Sequence, residues 1–234
     1  MRRIEGLDLL RGFAILLMII FHLCYDLNYF NFIDIKITTS SFWLNFRIFI
    51  VTLFLLIVGI SLALTHKNGI NWVKVKKRLI VLSFASIAVS IATYIIFPNR
   101  WVYFGILQAI LLLSIMALPF INRAYLSLFI AITILIGYNF FNINMHPLFN
   151  ILQNPLHLPK YTVDLAPIIP WFSIVLIGVS LVALNLHTKI FNLKIFHLNN
   201  EFYKILKFFG KRSLLIYLVH QPIIFGFLWV VKWI

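Results

Sequence analysis

The sequence predicts an all-α polytopic membrane protein, a bundle of about seven transmembrane helices with the N-terminus cytoplasmic and the C-terminus outside. Three observations carry that prediction. Hydrophobic residues make up 62% of the chain and charged ones 11%, with a mean hydropathy of +1.00, well beyond the range of soluble domains. Seven apolar runs come close to the ~20 residues needed to cross a hydrocarbon core of ~30 Å. Lys and Arg gather in the connections on one side.

The first run, 9–30, is too long for a cleaved signal peptide and lacks a small-residue cleavage site, so it reads as a retained signal anchor. The second and third, 43–65 and 79–97, flank a connection carrying Lys67, Lys74, Lys76, Lys77 and Arg78. The fourth, 102–120, and the fifth, 124–141, meet at Arg123; the fifth is short and ends in the Asn-rich stretch YNFFNINMHP. The sixth is 167–186 and the seventh 213–231. Continuous apolarity without period-two alternation favours helices over a barrel. With no internal repeat and no soluble linker domain, residues 1–234 read as one transmembrane domain.

Charge then orients the bundle. With the N-terminus inside, fifteen Lys and Arg, Arg2, Arg3 and Arg11 among them, fall on the inner side. Five fall outside: Lys36, Arg47, Arg100, Lys160 and Lys232. That is the positive-inside pattern of a cell-membrane protein. A net charge of +14 does not indicate a nucleic-acid partner here, because no soluble basic domain holds it. The single cysteine, Cys24, excludes an internal disulfide and a Cys-based zinc site. It reads as a small apolar residue of the first span.

Inside the first run, Asp8, Arg11, Ile15, Met18, His22 and Asp26 follow one another at spacings of three or four, which sets all six on one helical stripe. A stripe with that much charge must face other helices or water. Ionisable groups inside a span are candidates for function by default. Counting ~1.5 Å per residue from Leu9 puts His22 ~20 Å from the inner edge, in the outer half. The same count puts Gln108 ~9 Å below the outer surface, with Asp26 and Arg47 nearer to it, so these four are expected to converge. Asp8 and Arg11 mark the cytoplasmic mouth, and His220 lies ~10 Å above the inner edge in a lower layer. A structural role stays open for several of them. His22 with Asp26, or Arg47 with Asp26, would also serve as a hydrogen-bonded pair between helices. His220 precedes Gln221 and Pro222, where a freed carbonyl needs a partner. His146, His157 and Asp164, in the outer loop 142–166, have no recognised metal spacing, and no metal is expected.

The opening RIEGLDLLRGFAILLMIIFHLCYDL resembles that of bacterial membrane proteins related to heparan-α-glucosaminide N-acetyltransferase, with Asp8, Arg11, Gly12 and His22 at the pattern positions. The animal enzyme is similar there, with Asn in place of His22. FRIFIVTLFLLIVGISLAL (Gly59, Ser61), FGILQAI (Gly105, Gln108), DLAPIIPWFSIVLIGVSL (Pro170, Trp171, Gly178) and FGKRSLLIYLVHQP (Gly210, Ser213, Tyr217, His220) resemble later motifs in order. The animal enzyme's catalytic His in the outer loop after the first span has no counterpart in NYFNFIDIKITTSSFW. That role falls to His22 or is absent.

The resemblance implies transfer of an acetyl group from cytoplasmic acetyl-CoA to an amine or hydroxyl of an extracytoplasmic sugar or glycan. Acyl transfer needs a base, and imidazole titrates in the suitable range. On this reading His22 is the base, Asp26 orients it, and Gln108 donates to the developing oxyanion. Asp8, Arg11 and His220 serve the donor, with the Lys74–Arg78 cluster a further candidate for its phosphates, and Arg47 serves the acceptor. Direct transfer and an acetyl-histidine route are both open, as is a homodimer. A transporter or flippase using buried His and Asp is the alternative, against which the lack of an inverted repeat counts.

Overall fold

A computed structural model describes residues 4–198 and 200–233. Among these the fold is helical throughout, without a strand; a one-residue bridge joins Phe104 to Leu165. In chain order the helices are α1 (Glu5–Tyr29), α2 (Ser41–His66), α3 (Trp72–Ile96), α4 (Ile106–Ala117, continued by a 3-10 turn, Leu118–Phe120), α5 (Ala124–Phe141), α6 (His146–Gln153), α7 (Ile168–Ala183), α8 (Leu186–Phe191), α9 (Glu201–Lys211) and α10 (Ser213–Trp233). A second 3-10 turn, Lys194–His197, lies between α8 and α9.

All seven apolar runs are helical. Five helices, α1, α2, α3, α5 and α10, are long and apolar enough to cross a membrane. The other two fall short of the ~20 residues a full crossing takes: α4 has 12 residues and α7 has 16. Pro119 explains the first case, because a proline lacks the N–H that would continue α4, and the chain passes into a 3-10 turn. Stretches expected as bare loops carry helices of their own, α6 within 142–166 and α8 and α9 before residue 213. Arg2 and Arg3, counted on the inner side, lie outside the described residues.

Contacts divide the chain into two compact units, one made of its two ends (through Ile57 and from Thr188) and one of Val58–His187. The division falls inside the continuous helix α2 rather than in a linker.

In the first unit α1 packs along α9 and α10. Close approach of α1 and α9 rests on two glycines. A Cβ on Gly12 would run into the Leu206 carbonyl, and one on Gly210 into the Asp8 carbonyl. The backbones therefore touch, as small residues allow where helices pack in lipid. Ile15, Met18 and Ile50 form a buried cluster against which Phe46, Phe209, Ile216 and Tyr217 pack.

In the second unit α5 packs on α7, and α4 on α3 and α7. Here too a glycine sets the approach, since a Cβ on Gly59 would meet the Val175 carbonyl. Ser180 Oγ donates to the Leu176 and Ala124 carbonyls at 2.9 and 3.2 Å. The segment before α7 is fastened to the one before α4: Val163 N–H donates to the Arg100 carbonyl and Ala166 N–H to that of Phe104, both at 3.0 Å.

Candidate functional site

The polar stripe of α1 faces inward. Asp8, Ile15, Met18 and Asp26 are each under 5% exposed, and Arg11 and His22 are partly buried beside them. At the lower end of the stripe Arg11 Nη1 donates to Asp8 Oδ1 at 3.2 Å. This pair lies where α9 abuts α1, with the Asp8 backbone under Gly210. A buried carboxylate so close to a neighbouring backbone needs its charge met locally. Arg11, partly exposed, meets it.

At the upper end α10 brings a second set of polar groups onto the stripe. Gln221 Nε2 donates to both carboxylate oxygens of Asp26 at 3.0 Å. The His220 ring lies 5.0 Å from that of His22, centroid to centroid, at 63°. His220 Nδ1 lies 2.6 Å from the Tyr217 carbonyl oxygen. Three polar atoms here are buried without a hydrogen-bond partner among the described residues: His22 Nδ1, His220 Nε2 and Gln221 Oε1. Buried polar atoms are seldom left so.

His220 was expected in a lower layer than His22; the structure places the two side by side. The depth count assumed that α10 starts at the inner edge of the bundle. In fact α9 occupies the level of the first turns of α1, and α10 begins higher. Its Ile216 and Tyr217 already pack at Ile15 and Met18, and Phe225 reaches Tyr29 and Phe30.

Two further expectations meet a different geometry. Arg47 is exposed and makes no ion pair with Asp26, whose carboxylate is held by Gln221. The face that α2 turns to α1 carries Trp43, Phe46 and Ile50, with both aromatic rings against Phe21. Arg47, one turn on from Trp43, lies at the margin of that face with its side chain exposed. Gln108 belongs to the second unit, and its amide is engaged at both ends. Oε1 accepts from Gly105 N–H at 3.1 Å, at the start of α4, while Nε2 donates to Ser90 Oγ at 2.9 Å and to the Ser86 carbonyl at 3.4 Å. Both N–H groups are thus directed at α3, which leaves none for an oxyanion.

Sequence reasoning had not assigned a role to Gln221 or Asp164. Asp164 Oδ2 accepts from Ile106 N–H at 2.8 Å and so caps α4 from 58 residues away. No local pattern signals such a cap. Gln221 was noted only as a neighbour of His220, although a polar residue beside an intramembrane histidine is itself such a signal. His146 and His157 are not grouped with other ligands; among the described residues no set of three or more His, Cys, Asp or Glu could hold a metal.

The chain matches the family model described as heparan-α-glucosaminide N-acetyltransferase, catalytic, over residues 3–222. It belongs to that family. The match takes in α1 to α9 and enters α10 as far as Pro222, so both histidines and the Asp26–Gln221 pair lie within it. No curated protein and no solved structure gives a significant match. Family and long apolar helices together make this a membrane protein of an acetyltransferase family.

Proposed function

We propose that this family member is an acetyl-CoA-dependent transmembrane acetyltransferase of the cell membrane, taking its donor from the cytoplasm and acetylating an amine or hydroxyl of a sugar or glycan on the outer side. The observation that carries the reading is the imidazole of His22 in the α1–α10 seam, its Nδ1 without a partner among the described residues, one helical turn from a carboxylate held by Gln221. His22 is the general base. It takes the proton of the acceptor N–H or O–H as the acceptor's lone pair forms its bond to the acetyl carbon. The C–S bond breaks, its electrons pass to sulfur, and the thiolate recovers the proton from the imidazolium. Asp26, one helical turn on, stabilises the imidazolium while it exists.

Arg11, partly exposed at the other end of the same stripe, serves the anionic donor. Loop charges support an N-terminus, and hence Arg11, on the cytoplasmic side. A guanidinium is a planar fork of N–H donors whose geometry matches phosphate oxygens.

Donor binding tests this reading without knowledge of the acceptor. Ligand binding to the folded state adds roughly RT ln(1+[L]/Kd) to stability. Millimolar CoA should therefore raise the unfolding temperature of the purified protein, and Arg11→Ala should diminish the rise. A folded protein with no shift would support instead a transporter that uses His22 and Asp26 for protons or substrate.

A further inference from the structure

A carbonyl oxygen can only accept, so the 2.6 Å contact between His220 Nδ1 and the Tyr217 carbonyl is a hydrogen bond only if Nδ1 carries the proton. In the neutral ring the lone pair is then on Nε2. That atom is buried and has no partner among the described residues. The neighbouring ring has its own unpartnered nitrogen, His22 Nδ1, with the centroids 5.0 Å apart. A pair of histidines whose task was to join α1 to α10 would bond these nitrogens to each other. Here neither nitrogen has another partner among the described residues, and with the ring centres 5.0 Å apart a rotation of one ring brings the two nitrogens within hydrogen-bond reach, the contact along which a proton passes.

We propose that His22 and His220 form one proton-carrying pair, in which the Tyr217 carbonyl fixes the tautomer of His220 so that its Nε2 keeps a lone pair able to accept a proton from His22. The proposal rests on the acetyltransferase reading and deepens it. His22 receives the acceptor's proton, His220 Nε2 takes it over, and it returns through the pair to the thiolate once the C–S bond has broken. No proton is gained or lost over the cycle. His220 acts through His22 and is a positioning and relay residue, not one that binds the donor. The Asp26–Gln221 contact, on the residue next to His220, fixes the register of α10 against α1 that this requires.

Two measurements on the full chain in detergent test it. In a sample labelled with ¹⁵N-histidine, the resonance lost in His220→Asn should have the chemical shifts of a neutral ring protonated at Nδ1, and it should move in His22→Asn. A His220 ring protonated at Nε2 would overturn the proposal. With acetyl-CoA and D-glucosamine as probes, His220→Asn places an amide N–H near Nδ1 and removes Nε2. Its kcat should fall ~10²–10⁴-fold, the usual loss for a proton-transfer group, while KM for acetyl-CoA stays unchanged. A structural histidine would be rescued by Asn, and near-normal turnover would overturn the relay. If the wild type transfers no acetyl group, the functional reading fails and the tautomer measurement still decides the pair.

Discussion

Gly12 shows how much of this structure turns on single residues. Its missing side chain lets α1 meet the backbone of α9 at Leu206, and Gly210 makes the reciprocal contact at Asp8. A methyl group at position 12 has no flexible neighbour to displace, only a carbonyl. Gly12→Ala should therefore destabilise the protein by about 1–3 kcal/mol, the usual range for overpacking. Gly226→Ala on α10 should be neutral or slightly stabilising, since nothing lies within 4 Å of its Cβ position. Thermal unfolding of the two variants side by side checks the contrast; equal losses would contradict the close approach. At this scale the sequence was informative about α1 itself. The spacing of Asp8, Arg11, Ile15, Met18, His22 and Asp26 identified the inward face, because a 3.6-residue period follows from backbone geometry alone. What the spacing did not reveal was the partner of each group. That Asp26 meets Gln221 and not Arg47 depends on which face α2 turns to α1 and on where α10 begins, and both are matters of packing.

At the scale of elements, the seven apolar runs all correspond to helices, for the physical reason that a continuous apolar run has few other ways to satisfy its backbone. The short connecting helices were not foreseen. α9 has helical periodicity, with Tyr203, Leu206, Phe209 and Gly210 turned inward, Lys204 and Lys211 outward, and Asn200 capping Tyr203 N–H at 2.9 Å. Its apolar positions are too few for a span, so a search for spans passes over it. Yet α9 sets the level at which α10 starts and hence which residues meet His22. The cap on α4 was hidden for another reason, since Asp164 is remote in sequence from Ile106. Asp164→Ala should cost about 0.5–2 kcal/mol, as loss of an N-cap does, and Asp164→Asn should restore most of it. If Ala and Asn behave alike in thermal unfolding, the carboxylate is not acting as a cap.

For the whole molecule, the proposed function requires that the donor and acceptor sides be opposite faces of the membrane. On this account the connection between α2 and α3 is cytoplasmic and the α6 region is outside. Single cysteines at the exposed positions Asn68 and Asn150, in a Cys24→Ala background, should react with an impermeant thiol reagent from opposite sides. Labelling of both from one side would rule out the orientation. Membrane class and family were legible from composition and from the order of the motifs; the chemistry was legible only as a histidine in a span, because which groups surround it is decided by helix packing. The central claim, acetyl transfer from a donor on one side of the membrane to an acceptor on the other with a histidine as base, has a direct test in sealed proteoliposomes given labelled acetyl-CoA outside and D-glucosamine within. The wild type should accumulate labelled N-acetylglucosamine in the lumen, and His22→Asn, which orients an acceptor but takes no proton, should do so ~10²–10⁴-fold more slowly. Full turnover by His22→Asn, or no luminal product from wild-type vesicles shown to bind CoA, would contradict the account.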